Sequence, residues 1–270
     1  MSVGAIISFS TLERAFAVPL LREVSRFASS VVVSYADKLY DGTPEDVGFV
    51  EGTLAPAFPY VRFVRYEVDL ATRPDQMRGV VRRPTAYWHN LARWTAIQAL
   101  DPDVRWVYVL DADEIPDGAA VRRWLAARLP TAGPEVCFKQ SCYWYYRRPT
   151  QRARALEDSI LLIHRTHLRL DTVFHDMERD GLVATSGATP ERNVRGTDGT
   201  PMWHHYSFVR SRPGLVRKLT SWAHRDDLFA GRSAEELVEQ MYGDAAGTDI
   251  VHGYEYETVE DRFGLGQSFP

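Results

Sequence analysis

Two aspartates, Asp111 and Asp113, follow directly on an unbroken apolar segment at residues 106–110. An apolar run of this length is typical of a buried strand in a largely parallel sheet, and acids at its end emerge where open α/β proteins bind ligands. Because they are two residues apart, both side chains point to one face of an extended segment. Carboxylate oxygens placed in this way suit a divalent cation that also holds phosphate oxygens. The competing interpretation is a solvated acidic turn after a core strand.

A second candidate is the histidine pair His204 and His205, inside the segment Trp-His-His-Tyr-Ser-Phe. A neutral imidazole can complete the coordination of Mn²⁺ beside carboxylates. Neighbouring residues of an extended segment face opposite ways, so we expect only one of the two to be a metal ligand. The alternative is a pair of histidines in a surface loop.

Further polar residues lie near the ends of other predicted strands. Asp37 is expected to accept a hydrogen bond from a nucleotide base or ribose, and Asp69 has a similar position. Either could instead cap a helix or lie in a solvated turn. Arg82, Arg83 and Arg93 precede the acidic segment, and Arg93 is predicted to bind phosphate because a guanidinium matches phosphate oxygens and keeps its charge. The alternative for these arginines is a solvated helix face.

The elements that position these residues alternate in the first part of the chain. Strands are predicted at residues 3–9, 30–37, 61–68 and 106–110, and helices at residues 12–27 and 87–100. Pro19 is expected near the first turn of the first helix, where proline is tolerated. This order predicts an α/β fold, with a Rossmann-like, mostly parallel central sheet flanked by helices.

The chain after Pro116 has a different pattern and is predicted to form a mixed half. A helix is expected at residues 119–128, strands at 136–148 and 159–170, a loop at 185–200, and a helix from about Pro213 that includes Trp222. The aromatic run at residues 143–146 is expected to put half of its side chains in the core and half along a sugar-binding groove. We interpret residues 1–270 as one domain, with a nucleotide-sugar half at 1–116 and an acceptor half at 117–270.

Composition limits the class of protein. The chain has 270 residues, 45% of them hydrophobic, with a net charge of -4 and a pI near 6.1. This mild acidity argues against a nucleic-acid binder, and no apolar run is long enough to span a membrane. The two cysteines, Cys137 and Cys142, make neither a disulfide framework nor a zinc motif, which favours a reducing compartment such as the cytoplasm.

Two motifs resemble those of a known family. Leu-Asp-Ala-Asp-Glu-Ile-Pro at residues 110–116 resembles the Asp-x-Asp motif of glycosyltransferases with the GT-A fold. Taken with Trp-His-His-Tyr-Ser-Phe at 203–208 and Lys-Leu-Thr-Ser-Trp-Ala-His at 218–224, it is similar to the β-1,4-mannosyl-glycoprotein N-acetylglucosaminyltransferases and their bacterial and viral relatives. The resemblance is best over residues 87–116 and 202–226. The chain departs from it in having His-Tyr-Ser after Trp203-His204, and we expect no membrane anchor within residues 1–270.

The resemblance implies a glycosyltransferase of the hexosyltransferase type. Asp111 and Asp113 would bind Mn²⁺ (or Mg²⁺) and the diphosphate of a nucleotide-sugar donor, and a sugar would pass with inversion to a hydroxyl of a glycan or other acceptor. Inversion needs a general base on the acceptor side. Asp176 and Glu178 are the preferred candidates; Glu157 and Asp158 are the others.

The sequence is also compatible with two other functions. A sugar-phosphate nucleotidyltransferase also holds metal and phosphate at a sheet edge, but it usually has a glycine-rich loop after the first strand, and Ser-Phe-Ser-Thr-Leu-Glu at residues 8–13 contains no glycine. A non-catalytic carbohydrate-binding protein on the same fold would not need the paired aspartates.

Overall fold

A ten-stranded β-sheet organises the part of the chain that the computed structural model describes, residues 2–71, 81, 83–221, 231–243 and 247–269. Its strands in chain order are β1 Val3–Phe9, β2 Ser30–Ala36, β3 Val61–Tyr66, β4 Trp106–Asp111, β5 Glu114–Pro116, β6 Val136–Tyr146, β7 Gln151–His164, β8 Thr189–Val194, β9 Trp203–Phe208 and β10 Tyr256–Thr258. They lie side by side in the order β3-β2-β1-β4-β7-β6-β9-β5, with β8 beside β6 and β10 beside β7.

Helices cover both faces of this sheet. Within the described residues they are α1 Arg14–Val24, α2 Val47–Phe49, α3 Ala55–Ala57, α4 Pro84–Gln98, α5 Gly118–Arg128, α6 Leu170–Val173, α7 Glu178–Ser186, α8 Arg212–Ser221 and α9 Ala234–Gly243. No helix among these is long and apolar enough to cross a lipid bilayer. The expected helical residue Trp222 lies outside the described residues.

The first four strands in space, β3, β2, β1 and β4, run parallel, as their βαβ order predicts. The alternation of β1 places Ala5 and Ile7 on the face that α1 covers and Ile6 on the face that α4 covers. Residues of β1, β2 and β4 are almost all buried, which is why these strands appear in the sequence as continuous apolar runs. The predicted α/β fold with a mostly parallel central sheet between helices is confirmed.

Helix α1 differs from its prediction at Pro19. The helix begins at Arg14, after a 3₁₀ turn at Thr11–Glu13, and Pro19 is its sixth residue, which lies beyond the first turn. Proline removes one backbone donor there. The apolar face of α1, which includes Phe16 and Leu20, is buried, and this burial stabilises the helix despite the missing backbone donor.

The rest of the sheet is mixed, and two local predictions there are wrong. β7 begins at Gln151, well before residue 159, and ends at His164; its first part is polar but pairs with β6 and β10. The segment 185–200 is not a loop throughout, because α7 ends at Ser186 and β8 pairs in parallel with β6. β8 is polar and mostly exposed, so it carries no alternating apolar pattern.

The aromatic run of β6 does not line a groove on one side as expected. Trp144 and Tyr146 are buried in a cluster with Phe208 and residues of α8 and α9, whereas Tyr145 belongs to the main core on the other face. Both faces of this strand are covered. Tyr143 alone in the run is partly exposed, and the Arg152 guanidinium lies 4.3 Å from its ring.

Candidate active site

A cleft opens at the carboxyl edge of the parallel strands. The ends of β1, β2 and β4 form one side of it, and β9, α7 and α8 form the other. Its polar lining side chains are Ser8, Ser10, Glu13, Lys38, Tyr40, Glu45, Tyr66, His89, Asp111, Asp113, Glu178, Arg179, His205, Ser207, Lys218 and Ser221. This is the edge where parallel α/β sheets bind ligands.

Asp111 is the last residue of β4 and lines the cleft. Its Oδ1 lies 3.2 Å from His89 Nε2 and 3.6 Å from Arg93 Nη2, and its Oδ2 lies 3.4 Å from Arg179 Nη2. Burial by itself would raise the pKa of this carboxyl, but these three cationic neighbours hold it well below its ordinary value. Asp111 is therefore an ionised carboxylate.

Asp113 is buried at the bottom of the same cleft. Its Oδ2 accepts a hydrogen bond of 2.7 Å from Lys218 Nζ and one of 3.2 Å from Arg210 Nη2, and its Oδ1 lies 3.7 Å from His205 Nε2. Burial would raise the pKa of Asp113, yet Lys218, His205 and Arg210 together lower it well below the ordinary value. Glu13 also accepts from Arg210 at 2.7 Å, so the cations bridge two acids.

The histidine pair divides between two environments. β9 pairs with β5 so that His205 stands opposite Glu114 and its ring lies beside Asp113. His204 points to the other side, where it forms a 2.7 Å hydrogen bond with the Tyr145 hydroxyl and packs against Phe263. Since His204 is 4% exposed and faces away from the carboxylates, we withdraw it from the candidate metal ligands and retain His205.

His205 lies beside Asp113 in the cleft, whereas Asp111 contacts a different set of cationic side chains. His205 Nδ1 donates to Glu157 Oε2 at 3.0 Å, which leaves the Nε2 atom facing Asp113. Metal-binding histidines usually have such a carboxylate on the other ring nitrogen, because it fixes the tautomer and ring orientation. Carboxylates and imidazole nitrogens are ligands that Mn²⁺ accepts. In the described residues, the ligand atoms of Asp111, Asp113 and His205 do not all lie within 4.8 Å of one another.

Glu114, the third acid of the motif, has a structural position. It is fully buried, and its two oxygens accept hydrogen bonds of 2.6 and 2.7 Å from Arg179 of α7. It also accepts the backbone N–H of Asp111 at 2.9 Å. The ion pair of Glu114 and Arg179 therefore joins α7 to the end of β4, where the two aspartates lie.

Asp37 and Arg93 do not occupy the positions expected of nucleotide ligands. Asp37 does not line the cleft; it accepts the Val68 N–H at 3.4 Å and lies 3.8 Å from the cations of Lys38 and Arg65. Arg93 is 3% exposed and lies behind Asp111, so it neutralises the carboxylate instead of reaching a phosphate in the cleft. Asp69 accepts a local hydrogen bond from Ala71 N. Arg82 lies outside the described residues.

Asp176 and Glu178 lie along a second groove beside the cleft. This groove is lined by Arg83, Lys139, Leu156, Glu157, Asp158, Ser159, Asp176, Met177, Glu178, Arg179, Asp180, His252 and Tyr254. The Asp176 carboxylate accepts the backbone N–H of Arg83 at 3.3 Å, and the backbone oxygen of Asp176 accepts from the Arg83 guanidinium. Glu178 lines both the cleft and the groove, with its Oε1 3.3 Å from His89 Nδ1.

Among the arginines and lysines that contact the two aspartates, the sequence singled out Arg93 alone. His89 lies on α4, Arg179 on α7 and Arg210 between β9 and α8, and none belongs to a short motif. Lys218 is part of the second motif of the family resemblance, and that membership is the one signal that could have identified it. Only the structure identifies these residues as part of the site, because it shows which acids they contact.

Comparisons with known proteins give little about function. No protein-family model and no curated protein matches the sequence. Among solved structures, 4-diphosphocytidyl-2C-methyl-D-erythritol synthase from Anaerococcus prevotii DSM 20548 has 9% sequence identity and a TM-score of 0.41, over 74% of this chain and 89% of that one. Rv0371c from Mycobacterium tuberculosis H37Rv has 9% identity and a TM-score of 0.32, over 72% and 80%. Proteins this dissimilar need not share substrates or chemistry.

Proposed function

We propose that this chain is a transferase that acts on nucleotide-linked sugars, and that it moves the sugar from a nucleotide-diphosphate donor to a hydroxyl acceptor. The observation that carries the proposal is the arrangement of Asp111, Asp113 and His205 in one cleft at the carboxyl edge of the parallel strands. Ionised carboxylates beside an oriented imidazole suit a cation that binds diphosphate. The family resemblance of the two motifs supports the same reaction.

Asp111 and Asp113 would hold Mn²⁺ or Mg²⁺, which when bound supplies positive charge to the diphosphate leaving group. The protein's own residues prepare this site. Lys218 holds Asp113 in place, and Glu157 fixes the ring of His205. Both carboxylates are kept ionised, so no proton has to leave them before a ligand binds.

The nucleotide would lie over the ends of β1 and β2, where the cleft wall is partly apolar. Phe9, Leu39 and Tyr40 line this part, together with the Ser10 hydroxyl. Aromatic and aliphatic surface next to a few polar groups is typical of small-molecule sites. The diphosphate would lie at the β4 side of the cleft, beside the acidic cluster.

The acceptor would enter through the second groove. Glu178 is the candidate general base because it lies where the groove meets the cleft and borders both. A base there would take the proton of the acceptor hydroxyl onto a carboxylate oxygen while that hydroxyl attacks the sugar. His89, 3.3 Å away, orients the carboxylate. Asp176 faces the groove but not the cleft, which makes it the weaker of the two candidates.

Nucleotidyl transfer is a second candidate, favoured by the convergence of Lys218 and Arg210 on Asp113. Cations beside the metal-binding acids would also suit a reaction that joins two phosphate-bearing substrates. The turn after β1 argues against it. The Ser10 hydroxyl and the Thr11 N–H both donate to Glu45. The protein's own carboxylate therefore occupies the donors of the turn that would have to bind the triphosphate.

The two reactions release different products. Purified protein with Mn²⁺ and a panel of nucleotide sugars should release nucleoside diphosphate if it transfers glycosyl groups. Release of pyrophosphate from a nucleoside triphosphate and a sugar phosphate would establish the second candidate instead. Absence of both, with no Mn²⁺-dependent nucleotide binding by calorimetry, would leave a carbohydrate-binding protein and refute the proposal.

The role of Glu178 has its own test. Glu178→Gln should lower kcat at least 100-fold, the scale expected for a lost general base, with the donor affinity little changed. Asp180→Asn, a carboxylate of the same helix and groove, is the matched control and should keep near-native kcat. Equal activity of both variants would exclude Glu178 as the base.

A further inference from the structure

A thiol, a carboxylate and an imidazole meet beside the second groove, which Glu157 lines. Cys142 of β6, Glu157 of β7 and His205 of β9 each offer one ligand atom, and these atoms all lie within 4.8 Å of one another. Sheet pairing produces this meeting, since Cys142 stands opposite Glu157 in the β6–β7 ladder and β9 lies on the other side of β6. The His205 Nδ1 to Glu157 Oε2 distance is 3.0 Å.

A fourth ligand atom lies next to this cluster. His252 Nε2 is 3.8 Å from Glu157 Oε1, and the His252 side chain is 32% exposed towards the groove. Its segment is held by Asp249, which is buried and accepts the backbone N–H groups of residues 251, 252 and 254. These hydrogen bonds fix the backbone of the turn that carries His252, and so they fix the position from which its ring contacts Glu157.

We propose that Cys142, Glu157, His205 and His252 form a binding site for a thiophilic divalent cation of the Zn²⁺ class. In tetrahedral zinc sites with bonds of about 2.0–2.3 Å, neighbouring ligand atoms are roughly 3.3–3.8 Å apart. The ligand atoms of Cys142, Glu157 and His205 need only small side-chain movements to reach that geometry, whereas His252, which lies outside this 4.8 Å group, has to move further. A thiolate selects Zn²⁺ or Co²⁺ over Mg²⁺ and Mn²⁺, so this site differs in preference from the carboxylate site.

The surroundings of the two histidines support metal binding. Each ring directs one nitrogen towards Glu157 and the other towards an outer carboxylate, Asp113 for His205 at 3.7 Å and Asp249 for His252 at 3.6 Å. Outer carboxylates of this kind orient metal-binding imidazoles and raise their basicity. On binding, the thiol proton of Cys142 and the Nδ1 proton of His205 leave to solvent, as metal sites require.

Co²⁺ added to the native protein should produce a near-ultraviolet band from thiolate-to-metal charge transfer. Carboxylate and imidazole ligands at Asp111 and Asp113 give no such band, so the result does not depend on the proposed transferase activity. Cys142→Ser should remove the band and weaken Zn²⁺ binding at least tenfold in competition with a chromophoric chelator. Cys137→Ser is the matched control, a buried thiol of the same strand, and should keep both signals.

Two further variants keep the test decisive if Cys142→Ser does not fold by circular dichroism. His252→Ala and Glu157→Gln retain the thiol and should each weaken Zn²⁺ binding at least tenfold while a weaker Co²⁺ band persists. A native protein without the band, or Zn²⁺ affinity unchanged in both variants, would overturn the proposal.

Discussion

The neighbouring histidines of β9 have opposite electrostatic environments. Burial would lower the pKa of His205, but its hydrogen bonds with Cys142 and Glu157 and the charge of Asp113 raise it well above the ordinary value. Burial lowers the pKa of His204 to about 3, and Arg262 and Arg152 add to this effect. One residue of sequence separation therefore decides whether the imidazole faces acids or aromatic rings.

His204 should make the free energy of unfolding depend on pH. The folded protein keeps this ring neutral down to about pH 3, whereas the unfolded chain protonates it near pH 6.5. The unfolded state binds more protons in this window, so stability falls as the pH drops below 6.5. His204 should contribute a loss of about 2 kcal/mol between pH 7.5 and pH 5.

Urea unfolding of native protein and His204→Gln at several pH values measures this contribution. The variant lacks the titrating group and should lose about 2 kcal/mol less over the same interval. Other titrating groups affect both proteins alike, so the difference isolates His204. Parallel curves would contradict the assigned neutral state.

At the scale of elements, α1 and α5 approach each other through a residue without a side chain. A Cβ at Gly118, the first residue of α5, would overlap the carbonyl oxygen of Glu23 in α1. The Gly118 N–H donates to the Glu23 carboxylate at 2.9 Å, which further fixes the contact. α5 follows the acidic segment directly, so this contact helps to hold the strand end that carries Asp113.

Gly118→Ala should destabilise the protein by about 1–3 kcal/mol, because backbone must move to relieve the overlap. This outcome opposes the intrinsic preference of helices for alanine over glycine. Gly52→Ala is the control, since a Cβ there has nothing within 4 Å, and it should be neutral or slightly stabilising. Denaturant unfolding distinguishes the two, and equal stabilities would show that the helices do not depend on this close contact.

At the scale of the whole molecule, buried charges join distant parts of the chain. Glu13 precedes α1, Asp113 follows β4, and Arg210 and Lys218 lie about a hundred residues or more further along. Side chains of all four are at most 12% exposed. Removing one member leaves another charge buried without compensation, which is costly in a protein interior.

Asp113→Asn should therefore lower the free energy of unfolding by about 3 kcal/mol or more, in addition to any loss of ligand binding. Asp171→Asn removes a partner of Arg169 that is 73% exposed and should cost less than about 1 kcal/mol. Urea unfolding at neutral pH compares the two. A small effect at Asp113 would show that Glu13 alone balances Arg210 and Lys218.

The sequence by itself determines the parallel half of the fold. Residues 3–9, 30–37 and 106–110 are apolar and β-branched enough to be recognised as buried strands, because burial on both faces demands such residues at every position. It also places Asp111 and Asp113 together at a strand end, since their two-residue spacing is a local property. The sequence does not predict β8 or the first part of β7, because both are polar. Backbone hydrogen bonds to neighbouring strands hold them in the sheet, and these bonds require no apolar side chains.

Only the tertiary structure decides which charged residues share the site. Arg179, Arg210 and His89 contact the two aspartates although they are far from them in the sequence, and no short spacing records such contacts. The tertiary structure also decides that His204 and His205 face different surroundings, and that Arg93 and Asp37 do not line the cleft. The physical reason is that strand order and helix docking set side-chain distances, whereas sequence patterns report local periodicity and burial.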